Sequence, residues 1–187
     1  MKKILFSAVI ATTILTGCGS NDSLAIAEGD QFPDWYMNPI MDGGLSDAKC
    51  VKFTGNMSID QKKAVANARV GLAQQIETKI IAMDKTYAKS AEANGQTNVT
   101  DNFESISKQV TSEALNGVRP TNYGTAKING ITHVCARVEL APDSTKEFFE
   151  KLIESSGRDI KRATKDELYQ DFMLDAAEKS LNEQFGK

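Results

Sequence analysis

The chain has 187 residues, with 22 Lys and Arg against 25 Asp and Glu, and a formal charge of −3. That length supports one core and excludes two large domains. An acidic chain without a basic stripe is a poor nucleic-acid binder, and 25% charged with 41% hydrophobic residues excludes a disordered or fibrous chain.

Lys2 and Lys3 precede an apolar run from Ile4 to Leu15, and Leu15-Thr16-Gly17-Cys18 follows. The run is shorter than the about 20 apolar residues that a membrane-spanning helix needs. A charged start, a short apolar stretch and small residues at the cut describe an export signal. Cys18 turns that reading from release to anchoring. Residues 1–17 are expected to be removed as a lipoprotein signal peptide, leaving a diacylglycerol on the Cys18 thiol and an acyl chain on the new amine. Each buried methylene then adds about 0.8 kcal/mol of membrane affinity, so several chains hold firmly. The competing reading is a plain signal peptide with a chance cysteine. Gly19, not an aspartate, follows Cys18. By the sorting rule for such lipoproteins, this matches an outer-membrane form facing the periplasm. Loss of Lys2 and Lys3 moves the formal charge from −3 to −5.

Residues 18–31 read as a lipidated tether, small, polar and acidic, with Ser20, Asn21, Asp22, Ser23, Gly29 and Asp30. The folded part, residues 32–157, opens with Phe32-Pro33-Asp34-Trp35-Tyr36. Pro33 and Pro39 are expected to keep it extended. Trp35, the single tryptophan, is either an aromatic lid on the core or an anchor for a partner. With Tyr36 and Tyr123 it forms the candidate lining of a pocket.

Asp42-Gly43-Gly44 signals a turn, and Cys50-Val51-Lys52-Phe53-Thr54-Gly55 reads as a strand. Ser58 is the expected cap of a helix starting near Ile59. There Ala64, Ala68, Leu72 and Ile76 fall every four residues, with Val65, Ala73 and Ile80 widening the stripe. Its small residues suit close approach to a sheet. Past Ile76 the pattern fits two continuations, a strand through Thr78, Ile80 and Ala82 or a helix to about Ser90. Ala93-Asn94-Gly95-Gln96-Thr97-Asn98 reads as a loop. Phe103, Ile106, Val110, Ala114 and Leu115 share one face of a helix over Asn102 to Asn116, closed by Asn116-Gly117.

A hairpin follows, with arms Tyr123 to Ile128 and Ile131 to Leu140 about the turn Asn129-Gly130. Pro142 ends the second arm, and Asp143 or Ser144 is the expected cap of a helix carrying Phe148, Phe149, Leu152 and Ile153. Gly157 breaks it. Residues 158–187 form the expected C-terminal helical extension, running from about Lys165 to Gln184 with Leu168, Phe172 and Ala176 on one face. That face either packs on the domain or docks on a neighbouring copy or partner.

After Cys18 only Cys50 and Cys135 remain. In an oxidising compartment an even pair suggests one disulfide, and closing so long a loop adds roughly 4 kcal/mol in the chain-entropy model. Two free buried thiols are the alternative. With a single histidine, the two cysteines fall short of a four-ligand zinc site. His133, that one histidine, sits in the second hairpin arm and reads as structural. A cysteine nucleophile would need Cys135 reduced and on the same strand face as His133. There is no Gly-x-Ser-x-Gly elbow and no phosphate-binding glycine loop. Asp159, Asp166, Glu167 and Asp171 read as solvated helix surface, and Glu147 with Lys151 as one i,i+4 pair. No cofactor, metal or enzymatic activity is expected.

The order of these motifs carries a resemblance. Pro33-Asp34-Trp35-Tyr36 is followed by a strand ending at Gly55 and an alanine-rich helix with Ala64, Ala68-Arg69 and Leu72-Ala73-Gln74-Gln75-Ile76. The hairpin through Gly130 to Leu140 comes next. Over residues 32–142 the chain resembles the lipoprotein-20 family of bacterial outer-membrane lipoproteins. The resemblance implies a compact α+β domain of strand–helix–strand–strand order, and it supplies no catalytic residues. It also implies a structural or assembly role at the periplasmic face of the outer membrane, with a flagellar ring, and so motility, as one known case. The partners expected are the outer membrane through the lipid, and either a second copy or flagellar ring proteins. A periplasmic ligand- or peptidoglycan-binding module is the alternative.

Overall fold

The structure, a computed structural model, describes residues 29–93, 103–158, 160 and 162–174. The signal segment, Cys18, most of the tether, the Asn94–Asn98 loop and residues 175–187 lie outside the described residues.

The fold is α+β. In chain order it comprises α1 (Asp34–Met37), β1 (Leu45–Lys52), α2 (Met57–Ala93), α3 (Phe103–Gly117), β2 (Arg119–Ile128), β3 (Ile131–Leu140), α4 (Pro142–Ser155) and α5 (Arg162–Met173). The three strands form one antiparallel sheet in the order β1-β3-β2. The Asn129-Gly130 turn closes the hairpin as expected, both residues taking positive φ (51° and 74°), the pair of left-handed positions that a type I′ turn demands.

Several boundaries differ from the sequence reading. β1 begins at Leu45, not Cys50, and ends at Lys52. Its first half, Leu45 to Ala48, is buried even though Ser46 and Asp47 are polar, because α2 passes over Asp47 at Gly71 and the segment at Pro39 covers Ser46 on the other face. The segment around Trp35 is not extended throughout: Pro33 stands at the N-cap of the one-turn helix α1, where the missing proline N–H costs nothing. The α2 cap is Asn56, whose Oδ1 accepts the Ile59 N–H at 3.2 Å, rather than Ser58. Asp60, fully buried, reaches back to accept the Thr54 N–H at 2.7 Å and the Thr54 hydroxyl at 2.9 Å. Of the two continuations past Ile76 the helix is the one formed, to Ala93. α4 starts at Pro142 itself, with Ala141 as N-cap, and α5 starts at Arg162.

α2 lies along β1 and β3. Ala64, Ala68, Leu72 and Ile76 are wholly buried there against Val138 and Leu140. Gly71 sets how close the helix comes. A Cβ at Gly71 would lie 1.8 Å from Asp47 Oδ2 and 3.1 Å from Lys49 Cε, so a side chain there would have to displace the buried Asp47 carboxylate. The core continues into α4 and α5. Phe172 sits 5.8 Å, centroid to centroid, from both Phe148 and Phe149, and Tyr169 meets Phe149 edge-on at 5.0 Å. Tilted and edge-on pairs at these distances add about 0.5–1.5 kcal/mol beyond area burial. The described part of the C-terminal extension thus packs on the domain. Lys79 of α2 closes its end by donating to the Met173 and Leu174 carbonyls, both at 3.0 Å.

Candidate functional site

Successive strand residues point to opposite faces. On β3, Val134, Ala136, Val138 and Leu140 face α2, so Cys135, Arg137 and Glu139 face the other way. Cys50 stands directly opposite Cys135 on that outer face, and the two sulfurs are at disulfide distance with their Cα atoms 4.0 Å apart. Gly124 of β2 is the opposite neighbour of Cys135 on its other side.

The chain from Gln31 to Met41 crosses this outer face as a strap. Gln31 exchanges two backbone hydrogen bonds with Lys127 on the free edge of β2, at 2.9 and 2.8 Å. Pro33 and Trp35 lie on Gly124, where a Cβ would stand 3.0 Å from Pro33 Cγ and 3.2 Å from Trp35 Cζ2. Arg137 donates to the Ile40 carbonyl at 3.2 Å and pairs with Glu139 at 2.9 Å, and the Ser46 hydroxyl donates to the Pro39 carbonyl. Trp35 is therefore half-buried on the sheet. Tyr36 stacks on Phe32 with ring centroids 5.3 Å apart. Tyr123, next to Gly124 in the strand, points to the opposite face and is 49% exposed. The structure brings Cys50 and Cys135 together and Trp35 close to them. It does not bring Tyr123 to Trp35 or Tyr36, and none of the three aromatic residues lines either of the two clefts described next.

The first cleft, about 700 Å³, runs between β1, α2 and the end of α5. Asp47, Lys49, Gln74, Gln75 and Thr78 line it. Asp47 is buried, and Lys49 Nζ lies 3.1 Å from one carboxylate oxygen and 3.3 Å from the other. Gln75 donates to the Ser46 carbonyl at 3.3 Å. The second cleft, about 660 Å³, lies between α2 and α3 over Ile80, Ile81, Phe103 and Leu115. At its end Arg158 sits between two rings, its guanidinium carbon 3.9 Å from the Phe103 centroid and 4.3 Å from that of Tyr87. The side chain is only 3% exposed and bonds Asp84, while Nε and Nη1 have no hydrogen-bond partner. Cation–π contact offsets part of the cost of burying that charge. Neither Asp47 nor Arg158 is legible as special in the sequence. A single acid in a strand and an arginine after a helix-breaking glycine carry no local pattern.

His133 lies on β3 between Lys52 of β1 and Ala126 of β2, its Nδ1 2.9 Å from the Ile131 carbonyl. Cys135, on the same strand face, is engaged with Cys50. Among the described residues no group of three His, Cys, Asp or Glu side chains could hold a metal ion, and no helix is long and apolar enough to cross a membrane. The titrations that depart from ordinary values belong to the helix surfaces. Hydrogen bonding and charge from Lys108 lower Glu104, Lys151 and then Gln109 lower Glu113, and burial raises Tyr169.

Compared with protein-family models, curated proteins and solved structures, the chain matches none.

Proposed function

We propose that this chain is a lipid-anchored envelope protein, attached through Cys18 to the periplasmic face of the outer membrane, with a structural or assembly role rather than a catalytic one. The observation that carries the reading is the opposed Cys50–Cys135 pair, buried at Cys135, in a chain that opens with an export signal and Leu15-Thr16-Gly17-Cys18. Such a pair persists in an oxidising compartment and not in the cytosol. The strap supports the same reading, because the fold takes up the chain at Gln31, directly after the tether. A place in a flagellar outer-membrane ring is the particular case suggested by the resemblance to lipoprotein-20 proteins.

The test is metabolic labelling with a fatty acid, followed by membrane fractionation. Label on the wild type in the outer-membrane fraction, and none on Cys18→Ser, supports the reading. An unlabelled protein that fractionates with the cytosol overturns it. A ligand-binding module is the second reading, favoured by the cleft at Arg158, whose buried guanidinium has two nitrogens without partners. A thermal shift with cell-wall fragments that is lost in Arg158→Met supports that module, and no shift removes it.

A further inference from the structure

One end of the domain gathers features that no element explains alone. The tether enters there: Asp30 Oδ1 accepts the N–H of Asn129 in the hairpin turn at 2.7 Å, and Gln31 pairs with Lys127. β1 leaves the sheet at the same end, Lys52 opposite His133 and the Phe53 N–H bonding the Thr132 carbonyl at 2.9 Å. α2 starts there, tied back through Asp60 to Thr54. Three exposed apolar side chains therefore share this end: Met57 at 43%, Ile59 at 48% and Ile131 at 44% exposure. Four exposed lysines belong to the same elements at this end, Lys52, Lys62, Lys63 and Lys127. Lys63 lies 3.9 Å from Asp60, and the other three have no ion-pair partner among the described residues. Of the described acids at this end, Asp60 is buried and Asp30 is bonded to the turn. In the sequence Glu28 precedes them, which leaves the excess positive.

We propose that this end is a docking face for an anionic bilayer surface, so that the domain lies on the membrane instead of hanging free on its tether. The inference rests on the lipid-anchored reading. Three observations select a bilayer as the occupant. The face is locally basic in a chain that is acidic overall, so it complements anionic headgroups. Its exposed apolar residues are few and share the end with four exposed lysines, the pattern of an interfacial contact. The anchor enters at this same end, and the segment from Cys18 to Asp30 spans at most about 40 Å, which keeps the face within reach of the lipid.

The experiment uses the full lipidated protein in vesicles of phosphatidylethanolamine with phosphatidylglycerol, and in vesicles of phosphatidylcholine alone. Amide hydrogen exchange over residues 52–62 and 127–131 is the readout. The expected result is slowing on the order of tenfold with phosphatidylglycerol and little with phosphatidylcholine. Neutralising Lys52→Gln or Lys127→Gln lowers that protection about five-fold each. Ile59→Ser, a second surface variant, lowers it without changing the thermal midpoint. Equal exchange in both vesicles overturns the proposal, as does slowing that survives both lysine changes. Slowing that rises with protein density at constant lipid also overturns it, because a second copy is then the occupant. Intact mass of the same sample reads the anchor separately. If it carries no acyl chains, flotation of the unacylated chain with phosphatidylglycerol vesicles tests the face alone. Lysine-dependent flotation supports the face, and no flotation overturns it.

Discussion

On one face of the sheet, Val134, Ala136, Val138 and Leu140 are buried under α2, which brings Ala68 and Leu72 down onto them. On the other, Cys135, Gly124 and Ala126 lie on the side crossed by a strap held by two backbone hydrogen bonds at Gln31, one aromatic contact and two polar contacts near its end. The first face is held by apolar area, at about 25 cal/mol per Å² removed from water. The second has too little covering chain for that, and its stability rests on a covalent tie between β1 and β3 and on the fit of Trp35 over a residue without a side chain. The helix face should therefore respond to volume, and the strap face to redox state and to the size of one residue.

The largest effect is expected on the helix face. Leu72→Ala removes a wholly buried side chain between α2 and the sheet. It should cost about 2–5 kcal/mol in chemical denaturation. A loss below about 1 kcal/mol would mean that α2 is not packed as described. On the outer face, Cys50→Ala combined with Cys135→Ala should cost roughly 2–4 kcal/mol, since the sequence separation closed by the bond is 85 residues. The same loss should appear in the wild type on adding reductant and be absent in the double variant.

Gly124→Val comes next. Its side chain would meet Pro33 and Trp35 at 3.0–3.2 Å, where the neighbour must move. We expect about 1–3 kcal/mol of destabilisation together with a red shift of Trp35 emission as the strap lifts. An unshifted spectrum would sever Trp35 from the outer face. The smallest effect lies away from both faces, where Glu113 of α3 meets Lys151 of α4. The Lys151 hydrogen bond holds the Glu113 carboxyl below its ordinary value, and Glu113 raises Lys151 in return. A lowered carboxyl contributes stability that is present above its unfolded value and is lost as pH falls through its folded one. The tie is therefore intact at neutral pH, and it fails in acid as Glu113 takes up a proton and in alkali as Lys151 loses one. Both groups are solvated, so Lys151→Met should move the Glu113 titration upward with little change in the unfolding midpoint.

The outer face is also where sequence reading reached least. The hairpin was legible because Asn129-Gly130 is a local signal, and α2 as far as Ile76 because one stripe faces one sheet. Past Ile76 the helix meets α3 on one side and α5 on another. Ile80, Met83 and Tyr87 do continue the helical stripe at i, i+3 and i+7, but the local alternation of Thr78, Ile80 and Ala82 fits a strand as well, and only packing on those two helices separates the readings. β1 was read too short because Ser46 and Asp47 look like loop, and only pairing with β3 makes them strand. The pairing of Cys50 with Cys135 was expected from count and compartment, but its place at directly opposed positions depends on a register set by the hairpin and β1 together. Asp47 beneath Gly71, and Arg158 between Tyr87 and Phe103, join residues far apart in the chain, and nothing local announces them.

The membrane-anchored account is tested most directly by the intact mass of the protein purified from its native membrane, without reductant. The account requires a chain starting at Cys18, carrying a diacylglyceryl group and an amide-linked acyl chain, with Cys50 and Cys135 oxidised to each other. An amino terminus without acyl groups, or two free thiols at Cys50 and Cys135, would contradict it.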